Sequence, residues 1–510
     1  MCRRSRKFDL GIWRLERCGR GWVSRHTLLV LRRWWRRGAS TDTRGGCAPR
    51  DEFDVAGEFV ACSDIKITED DFMINRLFVC QIRASHSNGV CKEREASATV
   101  WRETRQPPCS PLTCPRTIAS LKLSESAARS PPMNFDFDSL IPRRTTGCIK
   151  YDRRPELDPF WVADMDFASA PAILGALHQR VDHGIFGYAQ PHDGLNQAVI
   201  TYLRERRNAA VPLEHIIHLG GLVPALSLAA RAFCQSGDAV MTCTPVYPPF
   251  IGVHHDAHVS LITVDHTMVD GRWSFDWKAM ENSVTPETKV FLLCNPQNPL
   301  GHVFSTAEVT KLAHFCETHD LVLVSDEIHC DLIFDEAATP HFSALNLPEN
   351  LAKRTITLLA PSKTWNIAGL GYAFAVIPDD SIRRKFCNTR GHTLSEINAL
   401  AYYAAEAAYR YGEPWRLEVI DYLKTNRDIL VDFITTRCPG LSVSAGQATY
   451  LAWIDARGMG VENPAQHFEK KAGLFLSDGA YFGWPGWIRF NFGCPRARML
   501  EGLEKIAAAL

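Results

Sequence analysis

The chain has 510 residues, 57 Lys and Arg against 57 Asp and Glu, and is 46% hydrophobic. That length is too great for one simple domain, and the apolar content can bury a large core. The balanced charge speaks against a general nucleic-acid binder, which needs a basic excess, and no apolar run reaches the roughly 18 residues that span a bilayer.

Residues 1–132 read poorly as a fold. Arginines cluster in "MCRRSRK" and "LRRWWRRG", cysteines and tryptophans are scattered without period, and "RETRQPPCSPLTCPRT" is a breaker-rich linker. "HTLLVL" is too short for a signal-peptide core. Three readings stand: a basic, disordered extension; a mitochondrial presequence, since acidic residues are scarce up to Arg50, though 132 residues is long for one; and a misassigned start, with the chain beginning at "MNFDFDSLIPRR" from Met133. None gives this part a chemistry. The 17 cysteines show no CxxC pair, and the spacing of Cys109 and Cys114 fits no standard zinc pattern. Most later ones sit in apolar runs such as "FLLCNP" and "VMTCTP", where free cysteine acts as a small hydrophobe. A reducing, cytoplasmic compartment is expected, or a mitochondrial one if the arginine-rich start is a presequence.

From Met133 onward the pattern is regular. The strand-like runs are "DAVMTC", "HVSLITV", "KVFLLCN", "LVLVSDE", "TITLLAP" and "YAFAVIP". Helix-like stretches lie between them. In 305–320, Val309, Leu312, Ala313 and Cys316 share one face, and Ser305 opens an S-x-x-E capping box with Glu308. The alternation predicts an α/β domain with a mainly parallel central sheet flanked by helices. In the tail, "LSVSAGQATYLAWID" (441–455) and "WIRFNFG" (487–493) are predicted strands around a helical "NPAQHFEKKAGL". They imply a smaller α+β domain, completed by the residues just after Met133. The expected boundaries are 133–175 and 421–510 for the small domain and 176–420 for the large one.

In open α/β sheets, ligands collect at the carboxyl ends of the strands. There the sequence places Asn295 and Asn298 in "NPQNPLG", Asp326, Glu327, His329 and Asp331 in "DEIHCD", Lys363 after "TITLLAPS", Tyr247 in "TPVYPPF", and a Gly-Gly turn at 220–221 that opens a helix. Each has a plain reading. The glycines are a tight turn; "NPQNP" is a turn; Tyr247 is packing. The chain has no G-x-G-x-x-G and no G-K-[ST], which removes the usual dinucleotide and P-loop readings. A metal cluster is disfavoured because Asp326 and Glu327 point to opposite faces of an extended chain. Lys363 is the odd one: one ammonium at the end of an apolar strand. Burial there favours the neutral amine, which can form a Schiff base with a carbonyl. An aspartate for a ring nitrogen, an asparagine for a phenolic oxygen, a helix N-terminus for a phosphate and a tyrosine to stack complete a set that matches pyridoxal phosphate.

At this point residues 133–510 resemble the fold-type-I pyridoxal-phosphate enzymes of the aminotransferase class I/II group. The resemblance is closest to the MalY/PatB branch of cystathionine β-lyases (C–S lyases). It is carried in order by "FWVADMDFASAP" (160–171), "GIFGYAQP" (184–191), "TPVYPPF" (244–250), "LLCNPQNPLGHVF" (292–304), "VSDEIHCDLIF" (324–334), "APSKTWNIAGL" (360–370) and "IRFNFGCPR" (488–496). It implies an aspartate-aminotransferase-like fold and a set of roles. Lys363 binds the cofactor and then shuttles protons at Cα, and Asp326 pairs with the pyridinium nitrogen. Asn298 bonds the ring O3′, with His329 close to where many relatives have tyrosine. Tyr247 stacks on the ring. Gly221, Leu222 and Ser362 contact the phosphate, and Arg489 pairs with the substrate α-carboxylate. Tyr188 reaches the neighbouring subunit's site, which implies a homodimer with shared active sites. The implied substrate is a small amino acid; no nucleic acid, membrane or metal is implied.

Two departures bear on the reaction. Typical aminotransferases have a phosphate-binding arginine eight residues after the lysine, where this chain has Gly371. "FGWPGWIR" is also about two residues shorter than the usual glycine-rich approach to Arg489. The first departure favours C–S β-elimination, giving thiol, pyruvate and ammonia, over the alternative of transamination. A cofactor-binding regulator with little catalysis is a third reading, against which the intact lysine, aspartate and arginine speak.

Overall fold

A computed structural model describes residues 135–510 apart from residue 393, and two short strands near the start, β1 (Leu15–Cys18) and β2 (Gly21–Ser24), which pair antiparallel. The other expectations for 1–132 lie outside the described residues.

The large part is built on an eight-stranded sheet. After the short β3 (Asp158–Pro159) come β4 (Ile216–Leu219), β5 (Ala239–Thr244), β6 (Ser260–Val269), β7 (Arg272–Phe275), β8 (Thr288–Cys294), β9 (Val322–Asp326), β10 (Thr355–Leu359) and β11 (Ala373–Val376). Their order across the sheet is β4-β11-β10-β9-β8-β5-β6-β7. The central pairs β10–β9, β9–β8, β8–β5 and β5–β6 are parallel. Helices cover both faces, so these strands read as unbroken apolar runs. Val240, Val290, Leu292, Val324 and Ile356 pack under the helices Leu222–Phe233, Pro248–Ala257 and Asp380–Arg390. Met241, Phe291, Leu293 and Leu323 face the other way, onto the helix Thr306–Thr318. That helix carries the expected capping box of Ser305 and Glu308, a device worth about 1 kcal/mol.

Two runs differ from their sequence reading. "YAFAVIP" becomes β11, which runs against both neighbours. "HVSLITV" continues to Val269 and turns back into β7 through Asp270 (φ +49°) and Gly271 (φ +75°). Asp-Gly with two positive φ values is the signature of a tight hairpin turn, and it outweighs the expectation of a lone strand.

The tail forms a four-stranded sheet. Its strands are β12 (Ser442–Val443), β13 (Leu451–Asp455), β15 (Ser477–Asp478) and β16 (Trp487–Asn491), in the order β12-β13-β16-β15. Between them β14 (Leu474–Phe475) pairs in parallel with β3, which ties the segment after Met133 to the carboxy-terminal part. The run 441–455 is two strands, not one. Its middle leaves the sheet because the Gln447 and Ala448 N–H groups donate to the Gly301 carbonyl at 2.7 and 3.0 Å. Gly301 has φ +63°, and a Cβ there would come within 3.0 Å of the Ala448 carbonyl, so this junction needs glycine.

Candidate active site

Parallel register brings the strand ends to one edge. Asp326, the last residue of β9, lies opposite Cys294 of β8 and Leu358 of β10. One step further along, β8 leads to Asn298, β10 to Ser362 and Lys363, and β5 to Tyr247, which caps the helix Pro248–Ala257. β4 leads through Gly220 and Gly221 into the helix Leu222–Phe233, whose first turn has no side-chain cap. Its leading N–H groups are therefore free for an anion.

β16 supplies the arginine. Arg489 is 4% exposed. Its Nη1 donates to Asn298 Oδ1 at 3.0 Å, and its Nη2 donates to the Trp161 carbonyl at 2.6 Å and to Ser477 Oγ at 3.3 Å. Nε is buried without a partner. Among the described residues no carboxylate pairs with this guanidinium. Burial lowers its pKa to about 10, with Tyr247 and Tyr450 acting the other way. It stays charged at any working pH.

Lys363 is partly buried, and its Nζ donates to the Ala163 carbonyl at 2.7 Å. Burial lowers its pKa to about 8; Arg489 adds to that, while Asp164 and Asp326 oppose it. Asp326 is 5% exposed, and among the described residues its side chain has one hydrogen bond, from the Ile328 N–H at 3.1 Å. Burial raises it to about 7. Its neighbour Glu327 points elsewhere and is satisfied by Ser325, His341 and the Ala344 N–H. Asp331 is taken by Arg207 and Tyr202. His329 is buried, its Nδ1 has no partner, and burial holds its pKa near 3, so it is neutral. Tyr247 is held above the usual phenol range, by burial first and then by Asp326, with Arg489 opposing.

Sequence reasoning assigned no role to the individual residues of one component. Residues 161–167 form a strap whose carbonyls are gripped by side chains from distant parts of the chain. Ser477 and Arg489 hold Trp161, and Asn491 holds Val162 and Asp164. Lys363 and Tyr450 hold Ala163, Lys150 also holds Asp164, and Asn366 holds Met165 and Phe167. The strap lies within the matched segment "FWVADMDFASAP", but these contacts are made to its backbone oxygens, so the segment's side chains do not reveal them.

Gly371 has φ +65°, and a Cβ would come 3.1 Å from the Gly220 carbonyl. An arginine there would be strained. Tyr188 is not brought to the site of its own chain. It is fully exposed, in a segment where Ile185 and Phe186 are also exposed.

The donor set fits pyridoxal phosphate: an uncapped helix start, a carboxylate with one bond, a neutral histidine with an orphaned ring nitrogen, and an amine of lowered pKa. The comparisons agree. Cystathionine beta-lyase PatB of Bacillus subtilis (strain 168) is 37% identical over 394 residues, covering 74% of this chain and 100% of that protein. The crystal structure of cystalysin from Treponema denticola, which contains a pyridoxal 5′-phosphate cofactor, is 32% identical with a TM-score of 0.71, covering 74% of this chain and 99% of that one. The PLP-bound C-S lyase from Staphylococcus hominis is 31% identical with a TM-score of 0.69, covering 74% and 98%. Residues 162–506 match the model of aminotransferase class I and II. That match takes in the rim, the lysine and the buried arginine together, and the chain belongs to the aminotransferase class I and II family, in its pyridoxal-phosphate-dependent carbon–sulfur lyase branch.

Proposed function

We propose that the chain cleaves the Cβ–S bond of cystathionine or other S-substituted cysteines, consuming one water and releasing thiol, pyruvate and ammonia. The observation that carries the substrate class is Arg489: a buried guanidinium with no carboxylate partner among the described residues, hydrogen-bonded to Asn298 and electrostatically coupled to an amine of lowered pKa. An α-amino acid brings the missing carboxylate. Pyridoxal phosphate, when bound, supplies an aldehyde for the amine and a sink for the electrons left at Cα.

In this reading Arg489 holds the α-carboxylate, and Lys363 Nζ takes the Cα proton. Asp326 would supply the counter-charge for the cofactor's ring nitrogen. Asn298 and His329 would serve its phenolic oxygen, and Tyr247 would pack against its ring. The Gly221 and Leu222 N–H groups and the Ser362 hydroxyl would receive its phosphate. The sulfur leaves with the C–S electron pair, which thiolate does readily because its conjugate thiol has a pKa of about 8.5. Transamination shares the first proton transfer; a glycine at 371, in a left-handed conformation that would strain the arginine usual in aminotransferases, favours the lyase branch.

The test is incubation with cystathionine and no keto acid. Pyruvate and thiol accumulating over many turnovers are expected. Turnover that requires a keto-acid acceptor would make the chain a transaminase.

The two-lobe division, 176–420 against 133–175 with 421–510, belongs to the same proposal and is supported by the pairing of β3 with β14. So does a homodimer in which Tyr188 completes the neighbouring site. Its support is the exposed apolar string Ile185, Phe186 and Tyr188, a kind of patch that marks interfaces. Phe186→Asp is expected to shift the sedimenting species from dimer to monomer; an unchanged dimer would place the interface elsewhere. No helix among the described residues is long and apolar enough to cross a membrane. A cytoplasmic location is proposed from the free cysteines among the described residues, most of them buried as small hydrophobes.

A further inference from the structure

Ala163 presents one carbonyl oxygen to two donors. Lys363 Nζ donates to it at 2.7 Å and the Tyr450 hydroxyl at 2.9 Å. The two bonds use both lone pairs of that oxygen. Tyr450 is 0% exposed, so its hydroxyl is sealed against this acceptor. The residue before it, Thr449, has φ +72°, an uncommon conformation for a β-branched residue. Such strain persists where the surroundings over-determine a backbone and clusters at functional positions. Here the surroundings are the Gly301 junction on one side and the Thr449 N–H bond to the Leu332 carbonyl on the other. The loop that breaks the 441–455 run thus places one phenol on the lysine's own acceptor.

We propose that Tyr450 is a positioning residue for Lys363: its hydroxyl keeps the Ala163 carbonyl satisfied whenever the lysine amine leaves that oxygen for the cofactor. This rests on the cofactor reading above. Without the phenol, each departure of the amine would orphan a buried carbonyl, and an orphaned buried acceptor is costly. The amine would then be held on Ala163 in its protonated form. With the phenol in place, the oxygen keeps a partner through the whole cycle, and the amine leaves and returns along one line.

The groups facing Lys363 are Asp164 on the strap, Asp326 and His329 at the end of β9, Arg489 on β16, and Tyr450 itself. Asp164 and Arg489 also act on Tyr450, as does Tyr247. Tyr450→Phe changes none of these charges. It removes one neutral donor and almost no volume.

The experiment mixes cofactor-free protein with pyridoxal phosphate across a pH series and follows the absorbance of the lysine-bound cofactor. In Tyr450→Phe the dissociation constant is expected to rise about tenfold. The pH midpoint of capture is expected to move upward from the wild-type value, because the amine is held longer as ammonium. A variant with lower thermal stability but wild-type affinity and midpoint would reduce Tyr450 to core packing and overturn the proposal; so would a downward shift. If Tyr450→Phe does not fold, 3-fluorotyrosine at position 450 gives the opposite sign. Its more acidic hydroxyl donates more strongly to Ala163, so the midpoint should fall, and an unchanged midpoint would overturn the proposal. Wild-type protein that fails to capture the cofactor would instead sink the cofactor reading itself.

Discussion

Lys363→Ala is expected to reduce C–S cleavage by at least about 10³-fold, because in the proposed roles one change deletes both the amine that would take the cofactor and the base that would take the Cα proton. The measurement is pyruvate release at saturating substrate and cofactor. A loss within about tenfold would assign proton transfer to another group. Lys363→Met separates chemistry from stability. In the fold, burial lowers the amine from 10.5 to about 8. Below about pH 8 the group is protonated in both the folded and unfolded chain, and the folded state carries the whole cost of burying the ammonium. Between about 8 and 10.5 the unfolded chain binds more protons, so wild-type stability rises with pH across that window. Methionine carries no such cost. Cofactor-free Lys363→Met is therefore expected to melt above the wild type at pH 7 and to lose that advantage as pH rises through the window. A variant that melts lower at pH 7, with no trend, would show that Ala163 and the nearby carboxylates more than offset the desolvation.

The residues of the rim were legible because a parallel sheet converts order along the chain into position in space. The apolar runs that pair in parallel end at the same edge, so reading off the residue after each finds Asn298, Asp326 and Lys363, and β4, which runs the same way, leads to the Gly-Gly turn. Asp326 and Glu327 illustrate the limit of that rule. They are adjacent in sequence, yet one faces the lysine while the other is absorbed by Ser325, His341 and Ala344, as alternation along a strand requires. Arg489 lies in a different sheet, and nothing in its own run distinguishes it from a surface arginine; only the resemblance pointed to it. The grip on the 161–167 strap and the role of Tyr450 were illegible for another reason. The strap acts through carbonyl oxygens, which every residue has. Tyr450 lies in a run that reads as a continuous strand until tertiary contacts at Gly301 pull its middle out of the sheet.

Arg489→Lys is expected to lower kcat/KM about 10²-fold, with most of the loss in KM. The guanidinium has five N–H donors, and three are committed inside the protein, to Asn298, the Trp161 carbonyl and Ser477. The Nε–H, buried without a partner, remains for a carboxylate in the proposed role. An ammonium has three donors in all and no fork, so lysine cannot keep the strap and Asn298 in place and also bind the substrate. It does keep the charge, which places the expected loss at the lower end of the range of about 2–5 kcal/mol for truncating one partner of a buried, hydrogen-bonded charge pair. The control is a substrate amide or ester, which lacks the carboxylate. Wild type and Arg489→Lys should handle it equally poorly, because the differential contact is gone. If the variant loses 10²-fold on the amide as well, the arginine's work lies in holding Trp161 and Asn298, and the carboxylate is bound by another group. If KM is unchanged and kcat alone falls, Arg489 acts on the transition state rather than on substrate binding. A small loss on both substrates would mean that the buried guanidinium, without a counter-ion among the described residues, is matched by some other anion than the substrate's.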